Sequence, residues 1–205
     1  MPRFPYPDRK TFPLELQDFL AQVPEHLNFD MMSYSQSTIE PFIRQGEAQY
    51  TGLELPHRSR ELVILTTAAV TSAEYEFVQH VPISEAMGVD PQIREAIHKQ
   101  DFDSALLSAD DQAITKFVAA VVRSPTVDDD TFAAVRKILS NREIVEVLQV
   151  VGFYVVRPRC DGPRSRDRTC ARYRGHRDQR EGRGRVATLP QVRLAFTVGR
   201  EDRIV

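Results

Sequence analysis

The stretch Glu61-Leu-Val-Ile-Leu-Thr-Thr-Ala-Ala-Val-Thr-Ser-Ala-Glu-Tyr-Glu-Phe-Val-Gln-His80 decides how this chain folds. It sets three ionisable side chains, Glu61, Glu76 and His80, inside two otherwise apolar helical segments. Charges so placed are costly unless they are paired or used. A turn signal at Thr71-Ser72 lies near the midpoint. If the chain folds back there, Glu61 stands ten residues before Thr71 and His80 nine after it. At ~1.5 Å per helical residue the two sit at nearly the same height, about 15 and about 13.5 Å from the turn. The expectation is a helical hairpin in which a carboxylate faces an imidazole, a usable proton-transfer pair. One unbroken helix would hold them roughly 28 Å apart and separate the pair.

Helical punctuation continues on both sides. Leu14 to Val23 reads as a short amphipathic helix closed by Pro24, and Ile39 to Gln49 as a second ending near Gly52. Pro56 to Val70 is a third, with proline well placed in a first turn that does not need its N–H. Thr71-Ser-Ala-Glu74 has the form of a capping box that restarts the chain as a helix to about Met87, with Gly88 as its stop. Pro91 to Lys99 follows. Ser108 caps a helix whose Ile114, Phe117, Val118, Val121 and Val122 fall at i, i+3, i+4, i+7 and i+8. Asp128 to Asp130 opens another, and Ser140-Asn-Arg-Glu143 caps the last, Ile144 to Val156. That last helix is apolar almost all round, so it is expected to be the most buried. No alternating pattern appears before residue 186. The fold class is therefore all-α: a compact domain of about eight helices over residues 13–156, after a proline-rich extended arm at 1–12.

Composition sets the wider frame. An apolar content of 41% and a charged content of 27% are those of an ordinary globular chain, which argues against a disordered or fibrous protein. The longest apolar runs, such as 150–156, are far too short to span a bilayer, and no membrane association is expected. The first eight residues have no apolar core of a signal peptide, so a cytoplasmic location is expected. The net charge of −2 hides a division. Residues 1–156 carry 13 Lys+Arg against 23 Asp+Glu; residues 157–205 carry 14 Arg, no Lys, and 6 Asp+Glu. Both cysteines, Cys160 and Cys170, fall in the second part, so the helical domain has no thiol.

At Arg157 a buried helix runs straight into Arg-Pro-Arg-Cys-Asp-Gly-Pro-Arg, and Pro158 breaks it without cap chemistry. One reading of residues 157–205 is a basic arm for an anionic partner. The preferred reading is a frameshifted, disordered tail, because out-of-frame GC-rich coding sequence yields Arg, Pro and Gly with almost no Lys. Nucleic acid is accordingly not expected as a partner. A zinc site from Cys160, Cys170 and His176 matches no standard ligand spacing, and no metal or other cofactor is expected.

Glu76 and His80 are i and i+4 on one helix and share a face. Alone, such a pair is an ordinary solvated contact. The apolar neighbours Ala73, Phe77, Val81 and Ile83, with Glu61 approaching from the preceding helix, make it a candidate site. At this point the chain resembles the carboxymuconolactone decarboxylase and alkylhydroperoxidase D-like superfamily. The resemblance rests on Glu61, the turn, Ala73-Glu-Tyr-Glu-Phe-Val-Gln-His80, and the approach Leu53-Glu-Leu-Pro-His-Arg-Ser-Arg-Glu-Leu-Val-Ile64, within a span of about residues 10–156. In the alkylhydroperoxidase branch a glutamate is followed twelve residues on by the first cysteine of a Cys-x-x-Cys pair, and a histidine follows the second cysteine by four. Here those positions are Glu61, Ala73, Glu76 and His80. Glutamate and histidine match, but both cysteines are absent. The resemblance therefore implies the cysteine-free, decarboxylase-like branch and disfavours thiol peroxidase chemistry. It also implies a helical homo-oligomer, between a dimer and a hexamer.

Decarboxylating a small unsaturated lactone leaves an electron pair that must be delocalised and then protonated. That asks for a donor near neutral pKa, the role expected of His80, oriented by Glu61 or Glu76. Arg58 or Arg60 is expected to hold a substrate carboxylate, and Tyr75 to donate a hydrogen bond or to pack. The expected partner is a small acid or lactone. Two acids beside His80 favour the imidazolium while burial opposes it, and sequence leaves that balance open. The second reading keeps the same residues as a satisfied polar network in a non-catalytic oligomer that binds a small acid. His57 and His98 read as surface residues, and His26 carries no signal.

Overall fold

The computed structural model describes residues 5–23 and 27–156. The arginine-rich tail, with Cys160, Cys170 and His176, lies outside the described residues, as do Pro24 and His26. A 3-10 turn at Arg9–Thr11 precedes nine α-helices among the described residues, and no strand is present among them. The helices are α1 (Leu14–Gln22), α2 (Leu27–Met32), α3 (Ile39–Thr51), α4 (His57–Val70), α5 (Glu74–Ala86), α6 (Pro91–His98), α7 (Ala109–Arg123), α8 (Asp129–Arg136) and α9 (Asn141–Val156). The all-α expectation holds. The short α2 was not anticipated, because six residues give too little periodicity to read. No described helix is long and apolar enough to cross a membrane.

α4 is the axis of the array. It packs against α5, α6, α7 and α9, and every residue from Arg60 to Ala69 is buried. The expectation that α9 would be the most buried is corrected here. Val145, Leu148 and Val156 on α9 are 51%, 42% and 48% exposed, whereas Val147, Val150, Val151, Phe153 and Tyr154 face inward. A second, smaller apolar cluster joins Phe12, Leu16, Leu20, Ile39 and Ile43, so the proline-rich arm ends on a buried side chain.

The helix boundaries follow local chemistry. Ser108 accepts from the Asp111 N–H and Asp128 from the Thr131 N–H. Ser140 and Glu143 form a reciprocal capping box. The box expected at Thr71–Glu74 does not form. The Thr71 hydroxyl donates back to the Thr67 carbonyl at 2.7 Å, and α5 starts at Glu74 after Ala73. Ser72 takes a left-handed φ of 55°, and the Ala73 N–H closes onto the Ala68 carbonyl at 2.8 Å. α4 therefore ends in a Schellman turn that reverses the chain between Val70 and Glu74. α5 ends the same way, with Gly88 at φ 80° and the Val89 N–H on the Ser84 carbonyl. It also runs through Pro82, a residue that sequence rules place at a break and whose ring removes one intrahelical donor.

One buried carboxylate ties the ends of this array together. Glu146 of α9 accepts from the N–H groups of Glu54 and Leu55, just before α4, and from Arg142 Nε. Burial opposes its charge, but these donors win and hold its pKa below the ordinary glutamate value. We expect Glu146→Ala to cost about 2–4 kcal/mol in urea unfolding at pH 7, since two backbone donors lose a charged acceptor. The depressed pKa places that stabilisation above the unfolded-state value. The gap between native and variant should therefore close as the pH falls through Glu146's folded pKa, and a gap that persists in acid would refute the assignment.

Candidate functional site

The reversal at residues 71–73 brings Glu61 and His80 together as the residue count requires. His80 Nδ1 lies 2.8 Å from Glu61 Oε2, and the two side chains are buried, with His80 3% and Glu61 0% exposed. On the other side of the ring, Nε2 lies 3.6 Å from Glu76 Oε1, an ion-pair distance rather than a hydrogen bond. Glu76 is 2% exposed. The imidazole thus sits between two buried carboxylates, one from each arm of the hairpin. Burial works against its charged form, but the contacts with Glu61 and Glu76 outweigh it, and the His80 pKa lies above the ordinary 6.5. The balance that sequence left open goes to the acids.

The remaining oxygen of Glu61 is also taken. Arg60 Nε and Nη2 reach Glu61 Oε1 at 3.2 and 3.1 Å. Arg60 Nη1 donates to the Gln49 carbonyl and to His57 Nδ1, both at 3.2 Å, and the guanidinium lies 4.2 Å from the centre of the Tyr50 ring. Arg60, Glu61, His80 and Glu76 form a line of alternating charge. Arg58 goes elsewhere. It makes a two-pronged ion pair with Asp111, at 2.6 and 2.8 Å, which pins the start of α4 to α7. That pairing holds the Asp111 carboxyl below its usual range against the effect of burial. Both arginines considered for a substrate carboxylate therefore have protein partners. Tyr75 is half-buried on α5 beside Glu76. His98 pairs with Glu74 on the surface and meets Phe77 edge-on.

Two residues without a sequence signal belong to the site. The Tyr154 ring of α9 meets His80 edge-on, with centroids 5.1 Å apart, and its hydroxyl lies 3.0 Å from that of Tyr50 on α3. Each tyrosine sits in an apolar helical stripe and reads as core, so only the crossing of α3 over α9 reveals it. Among the described residues no group of three or more His, Cys, Asp or Glu is placed to hold a metal ion.

No protein-family model matches the chain, and no curated protein does either. Solved structures do. A peroxidase-related protein from Ralstonia eutropha JMP134 with an alkylhydroperoxidase AhpD core superposes with a TM-score of 0.63 and 17% identity, over 77% of this chain and 87% of that one. An uncharacterised peroxidase-related protein from Silicibacter sp. TM1040 gives 0.60 and 19%, over 77% and 85%. An Agrobacterium tumefaciens protein of unknown function, associated with the antioxidant defence protein AhpD, gives 0.55 and 20%, over 62% and 88%. At such identities the shared property is the fold. This chain has the AhpD-like helical fold, as the resemblance implied.

The raised His80 pKa has a consequence for stability. A folded pKa above the unfolded value means that the cluster's contribution is complete below the ordinary 6.5 and is lost as the pH rises through the folded pKa. The stability gap between native protein and His80→Gln should narrow over that alkaline interval. A gap that is flat or widens with pH would show that His80 is held neutral.

Proposed function

We propose that the chain carries out acid–base chemistry of the decarboxylase type on a small carboxylated lactone or related acid. The observation that supports this is His80, held between the buried carboxylates of Glu61 and Glu76, which raise its pKa above the ordinary value. In the proposed step the carbon–carboxylate bond of the substrate breaks and CO2 departs. The electron pair passes into the conjugated lactone carbonyl, and a proton from the imidazolium returns to carbon. His80 then regains a proton from solvent, so the reaction consumes one proton for each CO2 released. Glu61 is a positioning residue, fixed by Arg60. Glu76 raises the proton affinity of the ring and relays its proton. Tyr75, beside Glu76, is placed at the edge of the ligand. Arg60 serves through Glu61 rather than by holding the substrate.

A second reading follows from burial. Glu61, Glu76 and His80 are each 3% exposed or less. A cluster so enclosed also suits an AhpD-like protein without a Cys-x-x-Cys pair that binds a small acid and transforms nothing. In either reading we propose self-association, with the outward Val145, Leu148 and Val156 of α9 as the apolar contact. A second copy would cover apolar side chains of α9 that are exposed among the described residues.

Two experiments follow. A panel of carboxylated butenolides is assayed for CO2 release from pH 5 to 10. The acid–base reading expects the rate to fall as the pH rises through the raised His80 pKa, and expects His80→Gln to lose about 10²–10⁴-fold. Turnover that survives His80→Gln defeats the acid–base reading, and calorimetric binding of an acid without CO2 release selects the second. For assembly, Val145→Glu with Leu148→Glu should lower the mass seen by light scattering while the helical circular dichroism stays unchanged. An unchanged mass would move the interface off α9.

A further inference from the structure

Gln49 is 2% exposed, and neither Nε2 nor Oε1 of its carboxamide has a hydrogen-bond partner among the described residues. A buried amide left unsatisfied costs about 1–3 kcal/mol, so its presence asks for a reason. Its position supplies one. α3 presents Phe42, Gly46, Gln49 and Tyr50 along one stripe, at i, i+4, i+7 and i+8. Phe42 stacks on Phe153 of α9 at 4.5 Å, and Tyr50 reaches Tyr154. At Gly46 an added Cβ would lie 2.8 Å from Phe153 Cζ, so glycine is what lets α3 come this close. Gln49 directly precedes Tyr50 on this stripe, and Tyr50 meets Tyr154, whose ring lies edge-on to His80. The Gln49 main-chain carbonyl holds Arg60, the partner of Glu61.

We propose that Gln49 is a ligand-recognition residue, whose carboxamide hydrogen-bonds the neutral polar edge of the small molecule that the His80 site receives. Charge argues for a neutral edge. Arg60 is committed to Glu61 and Arg58 to Asp111, so an anion brought to Gln49 meets no unpaired arginine of α4. A carboxylate would engage the amide N–H groups and leave the amide oxygen facing another acceptor. A group with a carbonyl beside an O–H or N–H uses both ends of the amide at once. The recognised class is therefore a hydroxy-lactone, a lactam or a carboxamide, with any carboxylate of the ligand lying away from Gln49. The proposal takes the small-molecule site from the acid–base reading, but its test reads binding and stability and needs no turnover.

Three five-membered-ring probes separate the possibilities by ligand-observed NMR titration: 2-pyrrolidinone (adjacent donor and acceptor), γ-butyrolactone (acceptor only) and 2-furoate (anion). Native protein should bind them in that order. Gln49→Leu should weaken 2-pyrrolidinone about tenfold and erase its advantage over γ-butyrolactone. Exchanging an unpartnered amide for an apolar side chain of similar size should leave Tm unchanged or raise it by about 2–4 °C. Gln49→Met guards against a mere misfit of shape and should behave alike. Equal binding of 2-pyrrolidinone by native and variant, or no binding by the native protein, overturns the proposal. So does a lowered Tm in both variants, which would mean that the amide holds the fold through buried water. Loss of lactam binding in Gln49→Leu, alongside CO2 release that survives His80→Gln, would defeat the acid–base reading and leave this one standing.

Discussion

The Glu61 carboxylate is wholly removed from solvent, and its two oxygens face different basic side chains: Oε1 meets the Arg60 guanidinium and Oε2 the His80 ring. An ionised carboxylate in a protein interior carries a desolvation penalty of several kcal/mol, which only close opposite charge and good hydrogen bonds offset. Both partners must therefore be in place at once. Arg60 comes with the sequence, as the adjacent residue. His80 comes only if α5 returns along α4 in the right register. A slip of one residue in the reversing turn would rotate His80 by about 100° around α5 and strand the carboxylate. The Schellman turn after α4, with its left-handed Ser72, thus does more than end a helix, because it sets the phase on which the charge pairing depends.

That constraint explains why a helix that carries several charged side chains is also the innermost. The apolar part of α4 supplies Leu62, Val63, Ile64 and Leu65, each fully buried, against which α7 and α9 pack. Three of its charged side chains are paired: Arg58 with Asp111, and Arg60 and Glu61 with each other. α9, more apolar in composition, is free to lie at the edge because it brings only two polar obligations inward. One is Glu146, satisfied by the main chain before α4, and the other is the Tyr154 hydroxyl, satisfied by Tyr50. Hydropathy alone ranks the two helices the other way round, since it counts side chains and not their partners.

Much of the fold was legible in the sequence for reasons that are local. Amphipathic spacing places α7, the Ser108, Asp128 and Ser140 caps act within their own turns, and Gly88 stops α5 where a left-handed residue is needed. The Glu61–His80 and Glu76–His80 contacts were legible too, since each follows from counting residues along helices that share a turn or a face. What escaped depends on crossings between distant segments. Arg58 was placed near the substrate by proximity in sequence, but Asp111, 53 residues later, supplies the better-matched two-pronged partner. Tyr50 and Tyr154 come together where Gly46 lets α3 cross close to Phe153. Thr71 looked like a cap, but its hydroxyl instead donates back into α4, to the Thr67 carbonyl.

The residue at position 76 determines what kind of chemistry such a hairpin supports. A thiol there, in the pattern of a Cys-x-x-Cys pair, would gain from an imidazolium that favours its thiolate and could exchange electrons as well as protons. A carboxylate exchanges only protons. Placed 3.6 Å from Nε2, opposite Glu61 on Nδ1, Glu76 gives the ring a second negative neighbour. Burial of the ring lowers its pKa, and Glu61 and Glu76 together outweigh that effect and raise it above the ordinary value. Glutamate at position 76 thus offers no thiol chemistry and adds a second acid beside the ring. Its cost is an extra buried negative charge, which the line Arg60–Glu61–His80–Glu76 balances by alternating sign from end to end. The site is self-neutral when His80 is protonated and carries a net negative charge when it is not.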